Sequence, residues 1–338
     1  MSTPPTSLRA AVVGAGLMGR WHADAIERSG GRVVAIVDSD IGRARALAER
    51  LPTRPAAASD VAVAIGDHGI QVLHVCTPLT SHDEIVTRGL ESGAHVLVEK
   101  PLAADAPAAE RLHALATSRG RLLCPVHQFL FQPGVLSAQR ALAALGPVRQ
   151  LDVVACSAGA DGTGEALREE VALDILPHGL ALAARLLGGR MAEASWWVSA
   201  GPPGELRAMA DVGGTSVMLA VSMRARPTEN TLTVRCDGGT VRANLYHGYA
   251  TIERGTPSRA DKVVRPFVAS TLTLGAALSN LGRRLARGES AYPGLRELVR
   301  RFHLACAGQG SSPVTVDESL DVARARDTIA SLRRRVTG

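Results

Sequence analysis

Six residues near the start of the chain, Gly14-Ala15-Gly16-Leu17-Met18-Gly19, have the types and spacing to cradle a phosphate. In such a G-x-G-x-x-G run the first glycine permits a tight turn and the second lets backbone approach a pyrophosphate. The third lets the following helix pack closely on the preceding strand. The first N–H groups of that helix, at the positive end of its dipole, then face the anion. The run alone is weak evidence in a chain with 34 glycines. Its setting carries the weight: an apolar stretch (8–13) precedes it and a helical stretch (20–28) follows. Asp38 closes a second apolar stretch (33–37), about 20 residues beyond the loop, where a carboxylate can accept hydrogen bonds from ribose hydroxyls. It would also repel a 2′-phosphate. The expected cofactor is therefore NAD, with NADP second, since Arg43 or Arg45 could accommodate the extra phosphate. The competing reading of Asp38 is a cap on the next helix.

These groups need a sheet to position them. Stretches 8–13, 33–37, 72–76 and 96–98 are short and apolar, as strands buried on both faces are, and the stretches 20–28, 42–50 and 82–93 between them are helical. That alternation predicts βαβ units and a parallel sheet. From about residue 124 the pattern changes. A helix over 139–145, a strand over 148–155, a loop over 159–164 and a helix over 178–187 lead into β-type segments at 195–198, 206–211, 216–220, 231–236 and 240–245, with Asp237-Gly238-Gly239 as a hairpin turn. At 338 residues the chain exceeds one core. The expectation is an α/β protein: a dinucleotide-binding domain over 1–125, then an α+β domain over 126–338 with a large, mostly antiparallel open sheet, which binds substrate and partner copies.

Composition excludes several classes. The net charge is +6, but the basic residues are scattered and aromatics are only 3%, so nucleic-acid binding is not expected. Cys76, Cys124, Cys156, Cys236 and Cys306 are isolated, which signals no metal site and no disulfide framework and suits a reducing cytoplasm. Residues 1–7 lack a signal-peptide layout, and no stretch reaches the ~18 apolar residues of a membrane span. The Ala/Leu-rich stretch 267–285 ends in Arg283-Arg284. It reads as a helix covering the sheet or a subunit interface, with membrane-surface contact as the lesser reading.

Two further segments, Cys76-Thr77-Pro78-Leu79-Thr80-Ser81-His82 and Gly93-Ala94-His95-Val96-Leu97-Val98-Glu99-Lys100-Pro101, resemble the Gfo/Idh/MocA family of oxidoreductases. The resemblance is strong through Pro101, moderate to Gly189 and weak beyond. It implies a Rossmann domain followed by an open-sheet α/β domain, an NAD(P)-dependent dehydrogenase or reductase acting on a CH–OH group, and a homodimer or homotetramer. It places Thr77, Pro78 and His82 beside the nicotinamide and Glu99 and Lys100 where cofactor meets substrate, adding to Gly14, Ala15, Gly16, Leu17, Met18 and Asp38. Lys100 is also conspicuous because Lys262 is the one other lysine in the sequence; its compact amine can share a proton as arginine cannot. Asp174-Ile175-Leu176-Pro177-His178 resembles the family's Asp-x-x-x-His pair. By resemblance Lys100, Asp174 and His178 are catalytic, and Gln128 joins them in holding substrate. Pro177 suggests a helix beginning near this point, so no shared helical face is assumed for the pair.

The chain also departs from that pattern. Leu130 stands where an arginine is usual and Ala181 where an aspartate is frequent; the stretch 158–170 lacks the usual Trp and Gly-Gly. These changes point away from a free sugar or inositol and toward a less polar or conjugated substrate. Alternatives are reduction of an imine or cyclic intermediate, or a non-catalytic dinucleotide-binding regulator.

Overall fold

The computed structural model describes residues 7–337 apart from 158, 160, 200, 256–258 and 290. The opening segment 1–6 and position 160 of the 159–164 loop fall outside the described residues, as does the side chain of Lys262. The chain forms two compact units, Met1–His127 with Leu295–Ala323, and Gln128–Gly294 with Arg324–Gly338.

In the first unit, strands β1 (Arg9–Val13), β2 (Arg32–Val37), β3 (Ala56–Ala58), β4 (Val72–Val75), β5 (His95–Val98) and β6 (Leu123–Pro125) form one sheet in the order β3-β2-β1-β4-β5-β6. All neighbours are parallel. Helices α1 (Leu17–Arg28), α2 (Ile41–Ala48), α3 (Val61–His68), α4 (His82–Glu91) and α5 (Ala106–Ser118) connect them. Strand order reverses at β1, so the carboxyl ends of β1 and β4 flank the crevice where such sheets bind ligands. The strands are apolar because helices cover both faces: Leu73, Val75, Val96, Leu97 and Val98 have no exposed surface. His74 interrupts β4 and is as deeply buried as its neighbours.

The second unit opens with α6 (Pro133–Leu145), β7 (Val148–Cys156) and α7 (Glu165–Leu187). Strands β8 (Trp197–Val198), β9 (Glu205–Val212), β10 (Thr215–Ser222), β11 (Glu229–Cys236), β12 (Gly239–Asn244) and β13 (Tyr249–Arg254) complete a sheet in the order β13-β12-β11-β7-β10-β9-β8. It is antiparallel except between β7 and β10. Strands β9 and β10 alternate buried and accessible residues, as expected for a sheet packed mainly on one face. The hairpin turn at Asp237-Gly238 lies where expected, with Cys236 opposite Gly239.

One expectation is corrected here. Helix α7 does not begin near Pro177; it starts at Glu165, and Pro177 sits inside it. The proline removes one backbone hydrogen bond, but the buried stretch from Leu176 to Ala184 holds the helix against the sheet. Asp174 and His178 therefore share a helical face.

Helix α8 (Arg259–Arg287) follows the sheet and leaves Val263, Phe267, Leu274, Leu278, Leu281 and Leu285 exposed. Among the described residues no helix is long and apolar enough to cross a membrane. Helix α9 (Leu295–Cys306) belongs to the first unit and packs on α1. Helix α10 (Val316–Thr337) begins in the first unit and ends in the second. There Arg333, 2% exposed, donates to Glu169 and to the carbonyls of Ser199, Gly201 and Pro202. Burial works to raise the Glu169 carboxyl, but hydrogen bonds from Arg333 and the Gly204 N–H outweigh it and hold the group below its usual range.

Burial alone drives the His113 imidazole down to about 4, and burial with the nearby His22 does the same to His303. Both rings titrate near 6.5 in the unfolded chain. The unfolded state thus binds more protons as pH falls below that value, so the stabilisation present above about 6.5 is lost on the way down to about 4. Thermal melting should show a loss of roughly 2 kcal/mol per histidine by pH 5. His113→Gln should shrink it, and a melting temperature flat from pH 7.5 to 5 contradicts the assignment.

Candidate active site

The glycine loop follows β1 directly, and its three glycines have separate causes. Gly14 has φ +97°, and a Cβ there would lie 2.6 Å from the Cys76 carbonyl oxygen. A Cβ on Gly19 would run into the Gly14 carbonyl, so only glycine lets the first turn of α1 pass this closely. Gly16 differs: a Cβ there would meet no protein atom. It is the N-cap of α1 and offers no side-chain cap, which leaves the first-turn N–H groups facing outward. A helix end that neither caps itself nor packs against protein fits a pyrophosphate.

Asp38 is not a helix cap; Asp40 caps α2 through the Gly42 and Arg43 N–H groups. Asp38 accepts from the Ala15 N–H at 2.8 Å and from the Asp40 N–H at 2.9 Å. It thereby ties the glycine loop to the end of β2, and each oxygen keeps a further lone pair for a ribose hydroxyl. Ala15, Gly16, Leu17, Arg20, Arg43, Ala46, Leu47 and Arg50 line a groove of about 260 Å³ beside the loop. Sequence reading passed over Arg20 and Arg50. The signal was available for the latter: Arg43, Ala46, Leu47 and Arg50 follow the i, i+3, i+4, i+7 spacing of one helical face.

The neighbouring crevice wall comes from the loops after β4 and β5. Thr77 is half-buried and Pro78 exposed. His82 is buried, with Nδ1 2.9 Å from the Pro101 carbonyl oxygen and Nε2 2.9 Å from that of Thr77. It joins the two loops through their backbones. Glu99 ends the run after β5, and its Oε2 accepts from the Lys100 N–H at 3.3 Å. Lys100 is half-buried, and the Lys100–Pro101 peptide is cis. Burial, reinforced by Glu99, pushes the Cys76 thiol well up, which disfavours a nucleophilic thiolate.

Gln128, Asp174 and His178 belong to the second unit. Gln128 is buried in a short 3₁₀ turn, Gln128–Phe131. His178 stacks on Phe129 with ring centroids 4.4 Å apart. The small cleft beside it is lined mainly by apolar groups, among them Phe129, Val153, Ile175, Leu219 and Val221, with Asn230. Leu130 and Ala181, the two departures noted above, are both buried. A roomier trough of about 1040 Å³ lies elsewhere in this unit, between β11–β13 and α8, and contains none of the residues singled out from the sequence. Among the described residues no group of three His, Cys, Asp or Glu could hold a metal ion.

The parallel sheet, the open glycine loop and Asp38 define the first unit as an NAD-binding Rossmann domain. Residues 8–127 match the Gfo/Idh/MocA family model, described as "Oxidoreductase family, NAD-binding Rossmann fold". Inositol 2-dehydrogenase 1 of Saccharopolyspora erythraea is 36% identical over 139 residues, 40% of this chain and 41% of that protein. The match thus spans about two fifths of that curated relative. The fold extends further. The WlbA dehydrogenase of Bordetella pertussis, solved with NADH and UDP-GlcNAcA, superposes with a TM-score of 0.77 at 17% identity, covering 99% of this chain and 97% of the other. A levoglucosan dehydrogenase, solved with NADH and levoglucosan, gives 0.77 at 18% identity and covers 98% of each chain.

The glycine geometry separates binding from folding. Gly16→Ala should keep the melting temperature within about 1 °C, since surface changes cost little, and weaken NADH binding at least tenfold by titration calorimetry. Gly19→Ala should lower the melting temperature by several degrees, because the Gly14 carbonyl must move. Equal effects of the two on binding and stability contradict this division.

Proposed function

We propose that the protein is an NAD-dependent dehydrogenase or reductase that moves hydride between the cofactor and a secondary hydroxyl or ketone carbon of a sugar-like or biosynthetic intermediate. One observation carries the reading: Glu99 and Lys100 directly follow β5, on the same carboxyl edge of the sheet as the open glycine loop and Asp38. The first unit holds the cofactor, and the second serves substrate and partner copies.

Bound NAD supplies the hydride acceptor. Lys100 hydrogen-bonds the reacting oxygen and stabilises developing alkoxide charge. His178, with Asp174 one helical turn before it, takes the hydroxyl proton. Thr77 and Pro78 border the nicotinamide, while His82 acts by fixing their loop against Pro101. Gln128 contributes to substrate binding. Asp38 favours NAD over NADP. Buried Leu130 and Ala181, and the apolar surroundings of His178, support a substrate less polar than a free sugar, such as an anhydrosugar or a conjugate. The levoglucosan and UDP-sugar complexes of the structural neighbours make both suitable probes.

Absorbance at 340 nm with myo-inositol, glucose, levoglucosan and UDP-GlcNAcA, each with NAD or NADP, tests this. Turnover of levoglucosan or the UDP-sugar should exceed that of inositol and glucose, with higher kcat/KM for NAD. Lys100→Ala and His178→Ala should each lose at least 100-fold in kcat while NAD affinity stays within a few-fold. Full activity in both variants overturns the assignment. Turnover of inositol or glucose at roughly 1–10³ s⁻¹ overturns the substrate class.

We also propose a homodimer or homotetramer working in the cytoplasm, with the exposed apolar row of α8 covered by another copy rather than by a membrane surface. Light scattering should give at least two copies, and Phe267→Glu with Leu278→Glu should yield monomer. A monomeric wild-type protein that sediments with anionic vesicles at low salt reverses that choice.

A further inference from the structure

Directly opposed residues on neighbouring strands share a face of the sheet. In the second unit one such row runs Trp197, Met209, Met218, Asp152, Thr233 and Arg242, from β8 to β12. The residues beside it on the other face, Val198, Ala208, Leu219 and Val153, are buried. Helix α7 covers them: a Cβ on its Gly179 would lie 3.2 Å from Leu219. The face that carries the row is covered at one end only. There α8 packs on β13, and Thr233 and Arg242 line the trough beneath it. At the other end Trp197 is 59% and Met209 42% exposed, and Arg207, Asp211 and Ser216 around them are exposed too.

A helix that merely covers its own sheet turns its large apolar side chains toward that sheet. Helix α8 does the reverse. Its less exposed residues include Ala269, Ala276, Ala277 and Asn280, and Asn280 donates to the His247 carbonyl at 2.9 Å. Phe267, Leu274, Leu278, Leu281 and Leu285 are each more than half exposed. Their spacing in the sequence keeps them on one stripe of the helix. The stripe and the Trp197–Met209 pair together leave roughly 800 Å² of apolar surface open, about what one side of a standard interface buries. Pairing of one stripe with another stripe, or contact with a membrane surface, would cover α8 and leave Trp197 and Met209 bare.

We propose that two copies of this chain pair reciprocally, the apolar stripe of α8 on each lying against the bare Trp197–Met209–Met218 end of the other's sheet. The contact rests on the homo-oligomer reading above and fixes what lies on both of its sides. On one face each copy carries a ridge, α8 at the β13 end, and a step, the bare β8–β10 end. A copy turned about a two-fold axis sets its ridge on the step and receives the other ridge on its own. That is the self-complementary relation an isologous interface requires. The exposed Arg207, Asp211 and Ser216 then form a polar rim around an apolar centre. The contact lies on the face away from α7, so Asp174 and His178 take no part in it.

Sedimentation velocity over a dilution series of the full chain tests both sides of the contact. Phe267→Glu with Leu278→Glu on α8, and Trp197→Lys with Met209→Lys on the sheet, should each raise the dissociation constant at least 100-fold. An equimolar mixture of the two variants should recover at least tenfold of that loss. Each mixed dimer has one unaltered contact and one in which glutamates face lysines, and recovery also shows that both variants are folded. Should the lysine pair abolish cooperative melting, Met209→Ser takes its place and should itself raise the constant at least fivefold. A sheet variant that dimerises like wild type means that α8 pairs with α8. An α8 variant that does so means that bare end pairs with bare end. Either result, or folded variants that fail to recover in the mixture, overturns the reciprocal contact and leaves the homo-oligomer reading standing. A wild-type protein that is monomeric throughout, with or without binding to anionic vesicles, overturns that reading and the contact with it.

Discussion

The first unit depends on one close approach, the passage of the α1 first turn over the Gly14 carbonyl at Gly19. It brings the helix down onto β1, and the same loop is held from two other sides, by the Gly14 N–H on the Val37 carbonyl and by Asp38 on the Ala15 N–H. With the turn held there, the free N–H groups face the groove instead of protein. Less than one turn further along, His22 is carried inward to meet β4. A binding edge and a buried polar core thus follow from a single backbone contact that no side chain larger than hydrogen allows.

Both units place polar groups in their interiors and satisfy them by opposite means. In the second, Arg333 and Glu169 are charged, and the guanidinium spends its donors on one carboxylate and three carbonyls. Breaking such a pair leaves an uncompensated buried charge, a loss of about 3–5 kcal/mol. In the first, His22, His74 and His303 form a hydrogen-bonded row, and burial keeps His74 and His303 uncharged. Each neutral ring supplies one donor and one acceptor, so a row of them satisfies its own interior positions.

The parallel sheet was legible because strands covered on both faces leave continuous apolar runs, and each such run ends at a glycine or a polar residue. The glycine loop and Asp38 could be located for the same reason. Short elements of low contrast were not legible: β3 is three alanines, and β6 is Leu-Cys-Pro. Pro177 misled because its local preference is for a helix start, and only the packing of α7 on the sheet overrides it. The site was legible where it is local in sequence. His303 lies 229 positions from His74, and nothing in the spacing links them until the fold does.

The return of Leu295–Ala323 to the first unit has a consequence for how the molecule is made. On the ribosome, the residues through His127 emerge long before α9, whose Phe302 and His303 are buried in the finished unit. Leu320 and Ala323, which pack against the parallel-sheet core, emerge later still. Until then the nascent N-terminal part has an unfinished flank beside α1. A chain cut at residue 127 would carry the whole glycine loop yet keep that flank bare. Biosynthesis of the nucleotide-binding half is therefore completed by residues translated after nearly all of the other half.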